Sequence, residues 1–280
     1  MPDFNLIQFS PLISPMISLV LGLLIGLILA LTGAGGSVLA IPLLSICLHL
    51  SLNQSAPIAL MAVLLASIIG AIQGLRIGIV RYKTALLIAC AGVIFAPLGV
   101  LAAKHAPHQL LSFSFFVVLV IVAWNMWQQS NLQFNVITTK PATACTLDPL
   151  TSRIDWTASC TKNLIATGTI AGFLSGLLGV GGGFVVVPSL TKVTNLNTQT
   201  VIATSLFAIA LVSLVSIFSY GLHTDIEWQI ALPFILGTII GLFIFKSVSN
   251  KVSTTFSQRS FAALALLAAT LMLYKTFSLN

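Results

Sequence analysis

Residues 22–44 read GLLIGLILALTGAGGSVLAIPLL, and residues 168–190 read GTIAGFLSGLLGVGGGFVVVPSL. At an offset of 146 positions, Gly22, Gly26, Gly33, Gly35, Gly36 and Pro42 fall on Gly168, Gly172, Gly179, Gly181, Gly182 and Pro188. Apolar residues match one another easily by chance; five glycines and a proline in register do not. After a two-residue slip, NQSAPIALMA from Asn53 faces NTQTVIATSL from Asn197, so the chain carries an internal repeat.

The surroundings of the repeat are those of a membrane protein. Of 280 residues 58% are apolar and 6% charged, with mean hydropathy +1.09. Soluble domains sit near 45–50% apolar and about 25% charged, so this chain has too few charges to cover a water-facing surface. That excludes a cytosolic enzyme, a disordered regulator and a secreted disulfide scaffold.

Apolar runs give ten segments: Ser14–Thr32, Ser37–Leu50, Ser55–Gly74, Lys83–Ala103 and Gln109–Trp127, then Asn163–Leu178, Phe184–Val193, Thr200–Tyr220, Trp228–Phe245 and Phe256–Tyr274. The reading is an all-α integral membrane protein, with a first transmembrane repeat over 1–127, a polar linker over 128–162 and a second repeat over 163–280. Each repeat holds an odd number of segments, about five, so the second enters the membrane inverted. The span count is 8–10, because a Gly-interrupted segment either crosses or re-enters on one side. No removable signal peptide is read at the N-terminus.

Basic residues set the orientation. Arg76, Arg81, Lys83, Lys140, Arg153, Lys162, Lys192, Lys246, Lys251 and Arg259 fall on one side, with only Lys104 and Lys275 on the other. The linker is therefore expected in the cytoplasm of a cell (inner) membrane protein, with both termini outside. Cys145 and Cys160 lie in the linker stretch without metal-ligand spacing and read as inert thiols.

Two segments are short. Phe184–Val193 reaches only about 15 Å and Ser37–Leu50 about 21 Å at 1.5 Å per residue, against a hydrocarbon core of about 30 Å. Paired interruptions in two inverted halves are the sequence pointer to a transporter's midplane site. GAGG (Gly33–Gly36) and GVGGG (Gly179–Gly183) would be unwound turns presenting helix N-termini, whose free N–H groups and dipoles favour an anion. No Asp or Glu lies within the segments, which argues against a cation site built on carboxylates. The candidate substrate-binding residues are Gly33, Gly35, Gly36, Ser37 and Pro42 in the first copy, with Ser175, Gly179, Gly181, Gly182, Gly183 and Pro188 in the second. Thr204 and Ser205 join them from the eighth segment. The stripes Gly22-xxx-Gly26-xxx-Ala30 and Gly168-xxx-Gly172-xxx-Gly176 read as faces for helix contact. Gln73, Asn125 and Tyr220, near span ends, read as interfacial anchors, and the four histidines on the outer face have no ligand spacing.

GFLSGLLGVGGGFVVVPSL, its echo GLILALTGAGGSVLAIPLL and the following ATSL (Ala203–Leu206) resemble the sulfite exporter TauE/SafE family. The first copy departs from the pattern, with Ser37 where the second has Gly183 and ALMA in place of ATSL. The resemblance implies a multi-pass permease exporting small sulfur-containing anions such as sulfite, sulfoacetate or other organosulfonates. Alternating access between the repeats is the expected mechanism; a passive anion channel, or a transporter of another small anion, is the alternative. An enzyme is not expected: GVGGG follows no strand, and neither HExxH nor GxSxG occurs. No cofactor, metal or nucleic acid is expected. The partners are a small anionic substrate and the lipid bilayer. A coupling proton or ion and the oligomeric state stay open.

Overall fold

A computed structural model describes residues 13–33, 35–132, 145, 157–194, 196–221, 226–249 and 254–278. Over these residues the chain is helical: α1 (Ile13–Thr32), a 3-10 turn (Gly35–Leu39), α2 (Ala40–Cys47), α3 (Leu52–Ile77), α4 (Tyr82–His105) and α5 (His108–Leu132). The second half gives α6 (Ala158–Leu178), α7 (Gly183–Val193), α8 (Thr198–Gly221), α9 (Trp228–Ser249) and α10 (Thr254–Ser278). Five helical stretches are long and apolar enough to cross a membrane: Ser14–Thr32, Leu52–Ile77, Tyr82–His105, Gln109–Gln128 and Thr198–Gly221. Gly36–Cys47, Gly183–Val193, Trp228–Ile244 and Gln258–Tyr274 are shorter apolar ones. Most of the linker lies outside the described residues; α5 runs on to Leu132 and α6 starts at Ala158, so both reach into it.

Local chemistry sets the ends. Ser51 and Gln54 form a capping box at the start of α3, which Gly78 closes in a left-handed conformation. Thr157 caps α6 by accepting from the Cys160 amide.

The glycine stripes are the helix contacts expected of them. Gly22 and Gly26 of α1 meet the backbones of Phe234, Thr238 and Gly241 in α9; Gly237 and Gly241 return the contact against Leu19 and Leu23. Positions advance together along both helices, so α1 and α9 run parallel. In the same way Gly168, Gly172 and Gly176 of α6 rest on Ile88, Gly92 and Ala96 of α4. Between α3 and α8 the order reverses: Gly74 meets Ala203, Gly70 meets Leu206, and Val63 clusters with Ile209. Exchanging the halves turns the α1–α9 pair into α6–α4 and returns α3–α8 and α5–α10 to themselves. Because α3 and its counterpart α8 are antiparallel, the exchange axis lies across the helices, and the repeats are inverted.

The second short segment returns along α6. After α6 the chain doubles back, with Gly182 against Ala171. At its far end Val193 O accepts from Cys145 N, and Cys145 is disulfide-bonded to Cys160 in the first turn of α6. α7 thus ends level with the start of α6, having run antiparallel along it. Only about 16 Å of this path is helix; the unwound glycines supply the rest. Reading Cys145 and Cys160 as separate inert thiols is corrected here. Their Cα atoms stand 5.0 Å apart, within disulfide reach. What brings them together is the long-range bridge from Cys145 to Thr194, which no local spacing reveals.

Gly172→Leu is expected to abolish monodisperse protein, since any Cβ there meets the Gly92 backbone and overpacking costs about 1–3 kcal/mol or more. Gly221→Ala, with no atom within 4 Å of the new methyl, is expected to leave thermal unfolding in detergent unchanged. Size-exclusion profiles of a fluorescent fusion before and after heating read both.

Candidate substrate site

The turn into α7 is built by backbone conformation. Gly181 and Gly182 have φ of 77° and 70°, values that L side chains rarely adopt. Space is as restrictive: a Cβ on Gly181 would stand 2.7 Å from Val63 Cγ1 and 3.1 Å from Ser213 Oγ, and one on Gly182 2.6 Å from Ala171 O. Gly182 caps α7 without a side-chain bond. The N–H groups of Gly183 and Phe184 find no backbone acceptor among the described residues, and both residues are buried. Beside them Ser213 Oγ is buried with no hydrogen-bond partner, and so is Ser205 Oγ two turns earlier on α8. Buried polar groups are paired in the great majority of cases, so the two amides and the Ser213 hydroxyl give the turn into α7 an open polarity; Ser18 and Ser112, elsewhere in the bundle, are unpartnered too.

Next to this turn is a cavity of about 180 Å³ between α1, α3, α8 and α9. Drug-sized molecules take pockets of about 300–1,000 Å³; this one suits a small solute. Gly33, Ser67 and Gln73 supply its polar lining, while Val63 and Ile209 separate it from Gly181 and Ser213. Gln73 is near the end of α3 that adjoins the start of α8, so the cavity lies toward the linker end of the bundle. Toward the opposite end the same column is closed. Gly179 abuts Ala56 and Ile41, Ser175 Oγ and Ser216 Oγ are 3.4 Å apart, and Tyr220 Oη donates to Gly176 O at 2.8 Å. A space bounded by Leu52, Phe115 and Tyr220 there is only about 10 Å³.

The other candidates take varied places. Gly33 lines the cavity. Gly36 packs against Ile28 and Leu29 within the 3-10 turn that Gly35 opens, and buried Ser37 is engaged by the protein. Pro42 sits in the first turn of α2, where its missing N–H leaves the helix intact. Pro188 sits inside α7, so the Phe184 carbonyl loses its helical donor. Thr204 Oγ1 accepts from Arg81 N at 3.1 Å and Ser175 faces Ser216, so both hydroxyls have protein partners. Tyr220 is a correction: its side chain is buried and bonded to α6, not placed as an interfacial anchor. Ser213 was missed, although it repeats Ser205 at two helical turns with Ile209 midway, a spacing legible in the sequence.

Comparison with known proteins agrees with the architecture. The model of the sulfite exporter TauE/SafE family matches residues 18–272. A probable membrane transporter protein of Xylella fastidiosa (strain 9a5c) is 29% identical over 216 residues, covering 75% of this chain and 76% of its own length. The probable membrane transporter protein YunE of Bacillus subtilis is 31% identical over 90 residues, 32% of this chain and 33% of that one. These relatives are named as transporters rather than enzymes. With ten α-helices among the described residues, five of them holding stretches long enough to span a bilayer, the chain belongs to the sulfite exporter TauE/SafE family of membrane transporters.

Proposed function

We propose that the protein carries small sulfur-containing oxyanions, such as sulfite, sulfoacetate or other organosulfonates, across the cell (inner) membrane by alternating access, and that it works as an exporter. The supporting observation is the set of unpartnered buried donors at the α7 N-terminus: the amides of Gly183 and Phe184, with the Ser213 hydroxyl beside Gly181. Donors without a nearby carboxylate favour an oxyanion, and a helix N-terminus adds its dipole. Gly33 and Gly35 of the first copy would form the opposing half-site. The cavity toward the linker end, with closed packing beyond Gly181, fits a carrier resting open to one side, whereas a passive channel would be continuous.

The linker end is assigned to the cytoplasm by its ten basic residues. The Cys145–Cys160 disulfide points the other way, since such bonds persist mainly in oxidising compartments. Ten charges against two outweigh a single bond whose sulfurs are buried away from reductants. Alkaline phosphatase fused after Asn280 is expected to be active and the same enzyme inserted into the linker inactive; the converse would reverse the orientation.

Proteoliposomes offered sulfite, thiosulfate, sulfonates, sulfate and chloride, with and without a pH gradient, are expected to show saturable uptake and counterflow of the sulfur oxyanions. Current without exchange would mean a channel. Ser213→Ala is expected to raise the half-saturation concentration roughly tenfold or more, as a hydrogen bond to an ion contributes about 1.5–3 kcal/mol. Thermal stability should hold or rise, since no protein partner loses a bond. Tyr220→Phe removes a bond worth about 0.5–1.5 kcal/mol. In a background lacking Cys47 and Cys90, maleimide labelling of Leu52→Cys at the closed end is expected to speed up.

A further inference from the structure

We propose that a groove between α5, α6 and α7 binds one anionic phospholipid, its phosphate at Lys192 and an acyl chain along the helices. The groove has a volume of about 290 Å³. Its polar groups, Asn125, Ser189 and Lys192, come together at one end, and none of the three side chains has a partner among the described residues. That end is the linker end, because Lys192 sits in the last turn of α7, one residue before the Val193 carbonyl that Cys145 binds. Asn125 lies about two turns before the end of α5. Deeper along the helices the walls are apolar, with Val118 from α5, Leu174 from α6 and Phe184 from α7.

The polarity follows a lipid lengthwise, with a cation and two neutral polar groups at headgroup level and hydrocarbon below. Ile121 and Ile170 on the rim are 53% and 52% exposed, an apolar face suited to the bilayer. A single lysine at this depth favours a negative headgroup over a zwitterionic one. α7 turns Val187 toward the cluster with Val63 and Ile209, and Phe184 and Pro188 toward the groove. The lipid would therefore support the back of the helix whose N-terminus adjoins Ser213.

The test is native mass spectrometry of the delipidated full chain in detergent, titrated with phosphatidylglycerol and, separately, with phosphatidylethanolamine. One phosphatidylglycerol per chain should be retained in preference to phosphatidylethanolamine, and inorganic phosphate should not displace it. Lys192→Gln, at an exposed position, should weaken retention about fivefold. Lys162→Gln in the first turn of α6, outside the groove, should leave it unchanged. Ile121→Trp, filling the apolar part, should also expel the lipid. Equal retention of both lipids, equal effects of the two lysine variants, or a lipid-free dimer covering this face would overturn the proposal. None of these readouts depends on transport, so a failure here is distinct from a failure of the oxyanion assignment.

Discussion

Where Gly22 and Gly26 of α1 lie on α9, and Gly168, Gly172 and Gly176 lie on α4, no side chain stands between the two helix backbones. Lipid tails are as apolar as leucine, so the hydrophobic effect does little to draw helices together within a bilayer; close van der Waals packing does more. These two glycine seams bind the first segment of each repeat to the fourth of the other. They interlock the halves, and with α1 and α6 so fixed, the turns that follow them, at Gly33 and Gly179, are carried to the α3–α8 column.

The column itself depends on a balance between satisfied and unsatisfied polarity. Several hydroxyls in the described helices bond within their own turn, as Thr32 does to Ile28 O, Thr167 to Asn163 O and Thr238 to Phe234 O. Such groups are neutralised and offer little to a ligand. Ser205 and Ser213 do not close that loop, and the first two amides of α7 have no preceding turn to receive them. In a medium without water each open donor is costly, and at the α7 N-terminus the proposed oxyanion would relieve that cost. No formal charge is needed, and a neutral site can release its anion more readily than one built on arginine.

The repeat, its inversion and the glycine seams were legible in the sequence because each is a periodic pattern: an offset of 146, an odd segment count, a four-residue stripe. The return of α7 along α6 was not, because the length of helix in Phe184–Val193 says nothing of how far the unwound glycines extend the path. The Cys145–Cys160 bond was not, because it needs the end of α7 returned to the start of α6, a tertiary event. Tyr220 looked like a belt residue from its place near a helix end. Only the approach of α6 to within 2.8 Å shows it as an internal strut. Of the site, the glycines were legible through backbone needs, whereas Ser213 is distinguished from the other unpartnered serines only by its place beside Gly181.

The Tyr220 hydroxyl that donates to Gly176 O is not repeated in the first half of the chain. Under the alignment that relates α3 to α8, Tyr220 corresponds to Arg76, in the exposed last turn of α3. Two identical halves would give an empty carrier no preference between its two faces. One bond of about 0.5–1.5 kcal/mol made in a single state shifts that balance about two- to tenfold. Such an imbalance cannot decide the direction of net movement, which belongs to the gradients across the membrane. In the alternating carrier proposed above, it would decide on which side the unloaded protein waits, and therefore which pool of solute it samples first.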